Sequence, residues 1–272
     1  MKKAVFFIFC ITSLSCRSIT ARNYQIETAL FNNSSVRIVL ISDLHSSIYG
    51  KDQQKLVSKI IECKPDIIIL CGDIFDIKAP DTGTEIFLSA IRDIAPIYFV
   101  TGNHEYYHNI KKIEYLLGSN NVVILSDSYI NLSINNNEMV IAGIDDPEKY
   151  YYKLFEYDQI ESMEKNFREL DEIEIFKILI AHRPENIEKY KKFSFNLVLS
   201  GHAHGGQVRI PCIINGLYAP DQGAFPKYSG GIYQYDGLTH IISRGLSINH
   251  PKLPRIFNPP ELVMIIISST ID

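Results

Sequence analysis

Short apolar segments alternate with amphipathic ones through the first half of this 272-residue chain, and no other feature limits its fold as much. The apolar segments have the length of single strands and lack polar alternation, which predicts strands buried on both faces. Between them, segments such as 52–63 carry apolar residues at helical spacing. This β-α-β-α-β-α-β order predicts a largely parallel sheet covered by helices. The predicted strands are 36–42, 67–71, 97–101 and 122–125.

The second half of the chain is predicted to hold more strands than helices. Residues 130–134 alternate in polarity, three asparagines allow a turn, and residues 139–144 return, which predicts a hairpin. A charged helix is expected near 158–171. We therefore expect an α/β fold class with two packed mixed β-sheets flanked by helices, in a single domain. The later predicted strands are 176–181, 197–200, 232–235, 240–243 and 262–268.

The amino terminus has the layout of a targeting segment. Two lysines precede an apolar run over residues 4–14, and Ser15 and Cys16 follow. This predicts a secretory signal peptide, because the run is shorter than the roughly 20 residues that span a bilayer. The segment before Cys16 resembles a bacterial lipoprotein cleavage site, although Ser13 stands where an aliphatic residue is usual. We expect an exported protein, periplasmic or membrane-anchored. Lipidation of Cys16, a plain signal and an uncleaved anchor stay open.

Composition narrows the class of protein. With 46% hydrophobic content, a chain of 272 residues can bury one sizeable core without a second domain. The formal net charge is −4, so no basic footprint points to a nucleic-acid partner. The predicted division is a signal peptide at 1–16, a linker with an initial strand at 17–35, and one domain at 36–272.

Metal-binding residue types follow five of the predicted strands, at the point where each strand ends. The carboxyl ends of strands in an open α/β sheet border the ligand crevice, so we expect these side chains to meet. A lone histidine beside a strand is more often structural, but five of the eight histidines fall at these ends. Burying so many polar groups without partners would be costly, and a shared metal centre removes that cost. The junctions are Asp43-Leu44-His45, Gly72-Asp73 with Asp76, Gly102-Asn103-His104-Glu105, His182, and Gly201-His202-Ala203-His204.

The spacing within these junctions has a simple physical interpretation. Residues i and i+2 of an extended chain project to the same side, so Asp43 and His45 are expected to point together while Leu44 enters the core. His202 and His204 repeat the arrangement. Asp, Asn and His together suit Mn, Fe or Zn better than a thiolate-selective ion. No cysteine joins the set, so a structural zinc finger is disfavoured.

Taken in order, the junctions resemble the metallophosphoesterase, or calcineurin-like phosphoesterase, family. The family pattern is Asp-x-His, Gly-Asp-x-x-Asp, Gly-Asn-His-Glu/Asp, a lone His, and Gly-His-x-His, and all five blocks are present here. Any single block is weak, whereas the ordered set is specific. A further similarity, in the segments 201–207, 243–246 and 253–261, is to bacterial exported or membrane-associated phosphodiesterases of the UDP-2,3-diacylglucosamine diphosphatase type. The resemblance covers about residues 36 to 267.

The resemblance implies two metal sites and a catalytic histidine. It implies that one divalent ion (Mn, Fe or Zn) is held by Asp43, His45 and His204. A second ion is held by Asn103, His182 and His202. Asp73 bridges both ions. His104 contacts the substrate phosphate and helps the leaving group depart, while Asp76 orients His104.

The expected function is a phosphodiesterase or diphosphatase acting on a small or lipid-linked phosphodiester. Two ions roughly 3.5–4 Å apart can share one hydroxide that attacks in line with the leaving group. A metal-dependent nuclease and a non-catalytic metal-binding scaffold are the alternatives. Ile77 stands where protein Ser/Thr phosphatases carry an arginine, which disfavours that class. The apolar stretch from Ile210 to Tyr218 either meets lipid or belongs to the core. The remaining histidines (108, 240 and 250) are predicted to be structural or surface residues.

Overall fold

A computed structural model describes residues 18–151, 159–248 and 253–270. The predicted signal peptide, its Cys16 and His250 lie outside these residues. None of the helices in the three described ranges combines the length and apolar composition that a bilayer crossing requires.

The first sheet has six strands among the described residues, in the order β1-β14-β2-β3-β4-β5. β1 pairs in parallel with β14, β14 is antiparallel to β2, and β2 to β5 are parallel to one another. The strand bounds are β1 Thr20–Thr28, β2 Ser35–Ile41, β3 Ile67–Cys71, β4 Ile97–Val100, β5 Val122–Ile124 and β14 Glu261–Ser269.

The second sheet, also of six strands in the described ranges, has the order β12-β13-β9-β8-β7-β6. Strands β13, β9, β8 and β7 are parallel to one another, and an antiparallel hairpin forms each edge of the sheet. Its strands are β6 Ser128–Ile134, β7 Asn137–Gly143, β8 Phe176–Ile180, β9 Leu197–Ser200, β12 Gly231–Tyr235 and β13 Leu238–Ile242. A small separate ladder joins β10 Tyr218–Ala219 to β11 Gly223–Ala224.

Helices occupy the outer faces of both sheets. Their bounds are α1 Gln54–Cys63, α2 Thr82–Ile91, α3 Asn103–Tyr106, α4 Ile110–Ser119, α5 Glu148–Tyr151, α6 Gln159–Phe167 and α7 Ile187–Tyr190. Short 3-10 turns extend some of them, as at Arg168–Glu172 after α6.

Side chains of each central strand enter two different cores, which explains why these strands are apolar throughout. In β2, Ile38 and Leu40 pack between the two sheets, while Val39 and Ile41 pack under the helices of the first sheet. A third cluster forms where β7 to β9 meet α6 and α7. Burial on both faces is the state predicted for an unbroken apolar strand.

The predicted α/β fold class is confirmed: two mixed sheets pack face to face and carry helices outside. The hairpin predicted at 130–144 is β6 and β7. Segment 17–35 contains a nine-residue strand, β1, that lies at the sheet edge beside the last strand of the chain. The segment thus contributes one paired strand to the first sheet.

Candidate metal centre

The five junctions meet where the carboxyl ends of the two sheets lie together. The backbone N–H of Asp43 donates to the carbonyl of Gly72 at 3.0 Å, which joins the ends of β2 and β3. The N–H of Gly201 donates to the carbonyl of His182 at 3.0 Å and joins the ends of β8 and β9. The main-chain N–H of His202 then donates to the Asp43 carboxylate at 3.0 Å, which links one sheet to the other.

One group of candidate ligands gathers around the end of β2. His45 Nε2 lies 3.5 Å from Asp73 Oδ2, and His204 Nε2 lies 3.6 Å from Asp43 Oδ1. Ligand atoms of these four residues lie within 4.8 Å of one another, and all four side chains are buried. Asp43, His45 and His204 are the residues that the family resemblance implies for the first ion, and Asp73 is the residue that it implies for both ions.

A second group adjoins the first through Asp73. The Oδ2 atom of Asp73 lies 3.3 Å from His182 Nε2, and these residues share a 4.8 Å cluster with His202. Because the same carboxylate oxygen faces His45 and His182, Asp73 stands between the two groups. Asn103, which follows the end of β4, is the remaining predicted ligand of this half.

Unpartnered buried atoms show that this donor set fits cations. Among the described residues, several buried side-chain atoms with no hydrogen-bond partner belong to the predicted ligands. Polar atoms left buried without a partner cost on the order of 1–3 kcal/mol each, whereas a divalent ion would satisfy these atoms together once they are deprotonated. The atoms concerned are His45 Nε2, Asn103 Oδ1, His182 Nε2 and His202 Nδ1.

Three of the four predicted ligand histidines form a hydrogen bond through one ring nitrogen to a group outside the two ligand clusters. His182 Nδ1 donates to the carbonyl of Cys71 at 2.7 Å, and His204 Nδ1 shares a 3.0 Å hydrogen bond with the Ser247 hydroxyl. His202 uses the opposite nitrogen: its Nε2 lies 2.8 Å from Asp221 Oδ2. Such partners fix ring orientation and leave the other nitrogen facing the site.

The electrostatics of the site also suit a cation. Burial lowers the pKa of His45 and lowers that of His204 well below its usual range, so both rings stay neutral and keep a free lone pair. Burial alone would raise the pKa of Asp73, but the neighbouring His182 and His45 hold it well below its ordinary value. The Asp73 carboxylate likewise outweighs burial at His182 and raises the pKa of that ring. A cation bound there would displace the His182 proton, since ligands bind in their deprotonated form.

The backbone at the junctions is not extended, and this corrects the predicted geometry. Asp43 and His45 have φ of 50° and 46°, and His202 and His204 have φ of 66° and 48°. These left-handed values are uncommon for residues other than glycine and cluster at functional sites. The paired side chains therefore converge through local turns rather than through the i, i+2 periodicity of a strand. Leu44 still enters the core, as predicted.

Two glycines allow the strand ends to approach one another. Gly72 has φ of 76°, and a Cβ there would lie 2.7 Å from the backbone nitrogen of Gly102. A Cβ on Gly102 would lie 2.3 Å from Asp73 Oδ1. Both positions therefore exclude a larger residue, because neighbouring atoms lie where a Cβ would stand.

The predicted catalytic pair lies beside the first group. His104 is the second residue of the short helix α3, and its side chain is 28% exposed, more than those of the ligand histidines. Its Nδ1 lies 3.6 Å from Asp76 Oδ1, slightly beyond direct hydrogen-bond distance. The His104 and His45 rings meet edge to face at 4.4 Å. Asp76 thus faces His104, as expected.

Glu105 is a site residue whose role the sequence analysis missed, although it stands inside the Gly-Asn-His-Glu block. Its buried carboxylate accepts hydrogen bonds of 2.7–3.2 Å from the backbone N–H groups of Asp73, Ile74, Phe75 and Gly102. Burial and the nearby Asp73 raise the pKa of Glu105 to about 7. Glu105 therefore ties the end of β3 to the end of β4.

The histidines and the apolar stretch that belong to none of the five motifs lie in different parts of the fold. His240 is fully buried in β13 and bonds Ser200 Oγ at 2.9 Å, and His108 pairs with Asp81 at 3.1 Å. Within the 210–218 stretch, Ile213 is 78% exposed. The core alternative for that stretch is therefore wrong.

The comparison with family models defines the class of protein. The model of the calcineurin-like phosphoesterase family matches residues 36–206, and the chain belongs to that family. Membership implies a metal-dependent phosphoric ester hydrolase, in agreement with the clustered metal-binding residues. The finer branch suggested by the sequence stays a prediction.

Individual relatives and solved structures agree with this assignment. The chain is 31% identical to the uncharacterised metallophosphoesterase YkuE of Bacillus subtilis, over 86% of this chain and 79% of that protein. It is 29% identical to an uncharacterised metallophosphoesterase of Aquifex aeolicus, over 90% of each chain. A 5′-nucleotidase precursor from Thermus thermophilus superposes with a TM-score of 0.53 at 12% identity, covering 79% of this chain and 50% of that one. This last likeness concerns the fold alone.

Proposed function

We propose that the protein is a two-metal-ion phosphodiesterase or diphosphatase whose substrate carries an apolar group. The observation that supports the metal chemistry most directly is the set of unpartnered buried ligand atoms on both sides of Asp73. In this proposal the first ion is held by Asp43, His45 and His204, and the second by Asn103, His182 and His202, with Asp73 shared. When bound, the ions would activate water near neutral pH and neutralise the phosphoryl oxygens.

His104 is proposed to act on the leaving group. Its ring is more exposed than the ligand histidines and stands beside His45, so it can reach a substrate that lies over the metal centre. A positioned imidazole that donates a proton in the transition state contributes typically 10²–10⁴-fold. Asp76 would hold the orientation of that ring across the observed 3.6 Å separation.

The apolar part of the proposed substrate rests on the surface around the site. Many of the exposed large hydrophobic side chains occur in loops that leave the ligand junctions, where water-facing polar residues would be usual. Ile48 follows His45 by three residues, and Ile77 directly follows Asp76. Others in these loops are Tyr107, Ile210, Ile213, Tyr218 and Phe225. We call the exposed apolar side chains in these loops the rim. An apolar rim favours a lipid-linked phosphodiester or diphosphate over a nucleic acid.

The proposal extends to location. A hydrolase of lipid-linked phosphates would work at a membrane surface, and the predicted signal peptide at 1–16, with Cys16 as a candidate lipidation site, would bring it there.

The hydrolytic mechanism is tested with bis-p-nitrophenyl phosphate and Mn²⁺. We expect turnover that EDTA abolishes and that added Mn²⁺ restores. His104→Ala should slow hydrolysis of a diester with a poor alkoxide leaving group by about 10²–10⁴-fold. The loss should be much smaller with p-nitrophenolate, which departs without a proton. His108→Ala is the matched control, because His108 pairs with Asp81 outside the ligand clusters. Metal binding without turnover would favour the scaffold alternative.

The substrate class is tested with alkyl p-nitrophenyl phosphates that differ only in chain length. A dodecyl ester should show a lower KM than a methyl ester. Ile213→Ser should raise KM for the dodecyl ester alone, because that side chain is 78% exposed on the rim. Tyr115→Ser is the control, since Tyr115 is 73% exposed on α4, outside the ligand-bearing loops. Equal KM values for both esters would reject the apolar substrate and leave the metal chemistry intact.

A further inference from the structure

Three of the four proposed ligand histidines are held by outer partners, and those partners differ in kind. His182 is held by the carbonyl of Cys71, and His204 by the hydroxyl of Ser247, and both partners are neutral. His202 is held by a carboxylate, Asp221, at 2.8 Å. No sequence motif marks Asp221, which lies 19 residues beyond His202 in the excursion between β9 and β12.

Asp221 is itself fixed from its other side. Arg183 Nη1 donates to Asp221 Oδ2 at 2.7 Å, so one carboxylate oxygen serves both the guanidinium and the imidazole. The same guanidinium forks onto the buried Asp146, with Nε and Nη2 at 2.7 and 2.9 Å from its two oxygens. Bidentate geometry of this kind restricts the arginine strongly. Since Arg183 directly follows His182, the same segment carries one proposed ligand and holds Asp221, which is the partner of His202.

The hydrogen bond decides which nitrogen of His202 faces the site. A carboxylate accepts, so the neutral ring carries its proton on Nε2 and leaves the Nδ1 lone pair free. Nδ1 is buried and has no hydrogen-bond partner. It belongs to the half of the site that also contains Asp73 and His182. Without Asp221 the ring could rotate or exchange tautomer, and the second ion would lose one nitrogen ligand.

We propose that Asp221, clamped by Arg183, is a positioning residue that orients His202 toward the second ion. This inference rests on the proposed two-metal function. It also explains why the exposed excursion that carries Asp221 is anchored to the centre: Asp221 is 48% exposed, yet it contacts a side chain that is only 3% exposed.

The test is calorimetric titration of Mn²⁺ into the metal-free full-length protein, with no substrate present. Wild type should bind two ions. Asp221→Ala should weaken one of them by about 10–100-fold and leave the other unchanged. Asp221→Asn keeps one acceptor oxygen, so its affinity for that ion should lie between those of wild type and Asp221→Ala. Asp236→Ala is the matched control, because Asp236 lies exposed in the β12–β13 turn and should bind Mn²⁺ as wild type does.

A second variant identifies which of the two ions Asp221→Ala weakens. Ser247→Ala removes the partner of His204 and should weaken the first ion, so Asp221→Ala combined with Ser247→Ala should weaken both. If Asp221 only fastened the excursion, Asp221→Ala would expose that loop to proteolysis and leave both affinities unchanged. That result would overturn the proposal.

Values of kcat and KM measured at saturating Mn²⁺ distinguish a positioning role of Asp221 from a merely structural one. Asp221→Ala should then recover most of the wild-type kcat, with KM for bis-p-nitrophenyl phosphate unchanged. A third ion in wild type that Asp221→Ala abolishes would instead make Asp221 a ligand, with Glu185 and His202 as its partners. Wild type that binds two ions without turnover would reject the hydrolase while this inference stands. Wild type that binds none would reject both.

Discussion

Glu105 shows how much of this centre depends on a residue that touches neither proposed ion directly. Four backbone N–H groups from the ends of β3 and β4 donate to its carboxylate. Because those ends carry Asp73 and Asn103, the carboxylate fixes two proposed ligands at once. Its burial leaves no water to replace the bonds if the side chain is removed.

We predict that Glu105→Ala lowers the free energy of unfolding by about 3 kcal/mol or more, since each orphaned buried donor costs roughly 1–3 kcal/mol. Glu105→Gln keeps one acceptor oxygen and should lose less. Urea denaturation in EDTA measures the effect without contributions from bound metal. Glu114→Ala, on the exposed face of α4, should change stability by less than about 0.5 kcal/mol. Equal stability of Glu105→Ala and wild type would show that Glu105 does not tie the strand ends.

At the scale of elements, β1 is the strand whose placement depends most on distant sequence. It pairs in register with β14, so that Thr20 lies beside Glu261 and Thr28 beside Ser269. The N–H of Thr20 donates to the carbonyl of Pro260, and the carbonyl of Thr28 accepts from the N–H of Thr270. Since strand residues alternate, the even-numbered residues of β1 direct their backbone groups to β14 and the odd-numbered ones to solvent.

Proline substitutions test this orientation. Arg22→Pro should remove a ladder hydrogen bond and lower the free energy of unfolding by about 2 kcal/mol or more. Asn23→Pro, at the next residue, removes an outward-facing N–H and should cost clearly less. Arg22→Ala controls for the loss of the ion pair with the buried Glu261 at 3.8 Å. Thermal or urea unfolding of the three variants gives the comparison, and an equal loss from both prolines would contradict the orientation.

At the scale of the whole molecule, two sheets bring their carboxyl ends to one common edge, and the cores beneath them hold that edge in place. His240 is fully buried in β13, the strand next to the edge of the second sheet. Burial lowers the pKa of His240 to about 3. An unfolded histidine has a pKa near 6.5, so the unfolded chain binds this proton more readily than the folded one.

This difference predicts a specific acid sensitivity. The stability that a neutral His240 contributes is fully present above about pH 6.5 and is lost as pH falls toward 3, at up to about 1.4 kcal/mol per pH unit. His240→Gln should therefore lose less stability than wild type between pH 6.5 and 4. Urea denaturation of both proteins across that range gives the difference. Parallel stability–pH curves would show that burial does not lower the pKa of His240 in the folded protein.

The sequence by itself determined the order of the elements, most of their bounds and the residues at the strand ends. Strand β3 occupies the predicted residues, Ile67–Cys71, because an unbroken apolar run is a local signal. The proposed ligands were identifiable because each follows such a run, and the structure brings them together in two adjoining groups. Their roles as ligands stay a prediction that metal binding will test.

Tertiary structure alone decided the rest. The pairing of β1 with β14 joins opposite ends of the chain, and Asp221 reaches His202 from a loop without regular periodicity. The left-handed backbone at Asp43 and His45 occurs where their N–H groups donate to carbonyls after the end of β3, and those partners are distant in sequence. Local patterns report which side chains are buried, but hydrogen-bond partners and backbone turns at the centre depend on groups that are distant in sequence and adjacent only after folding.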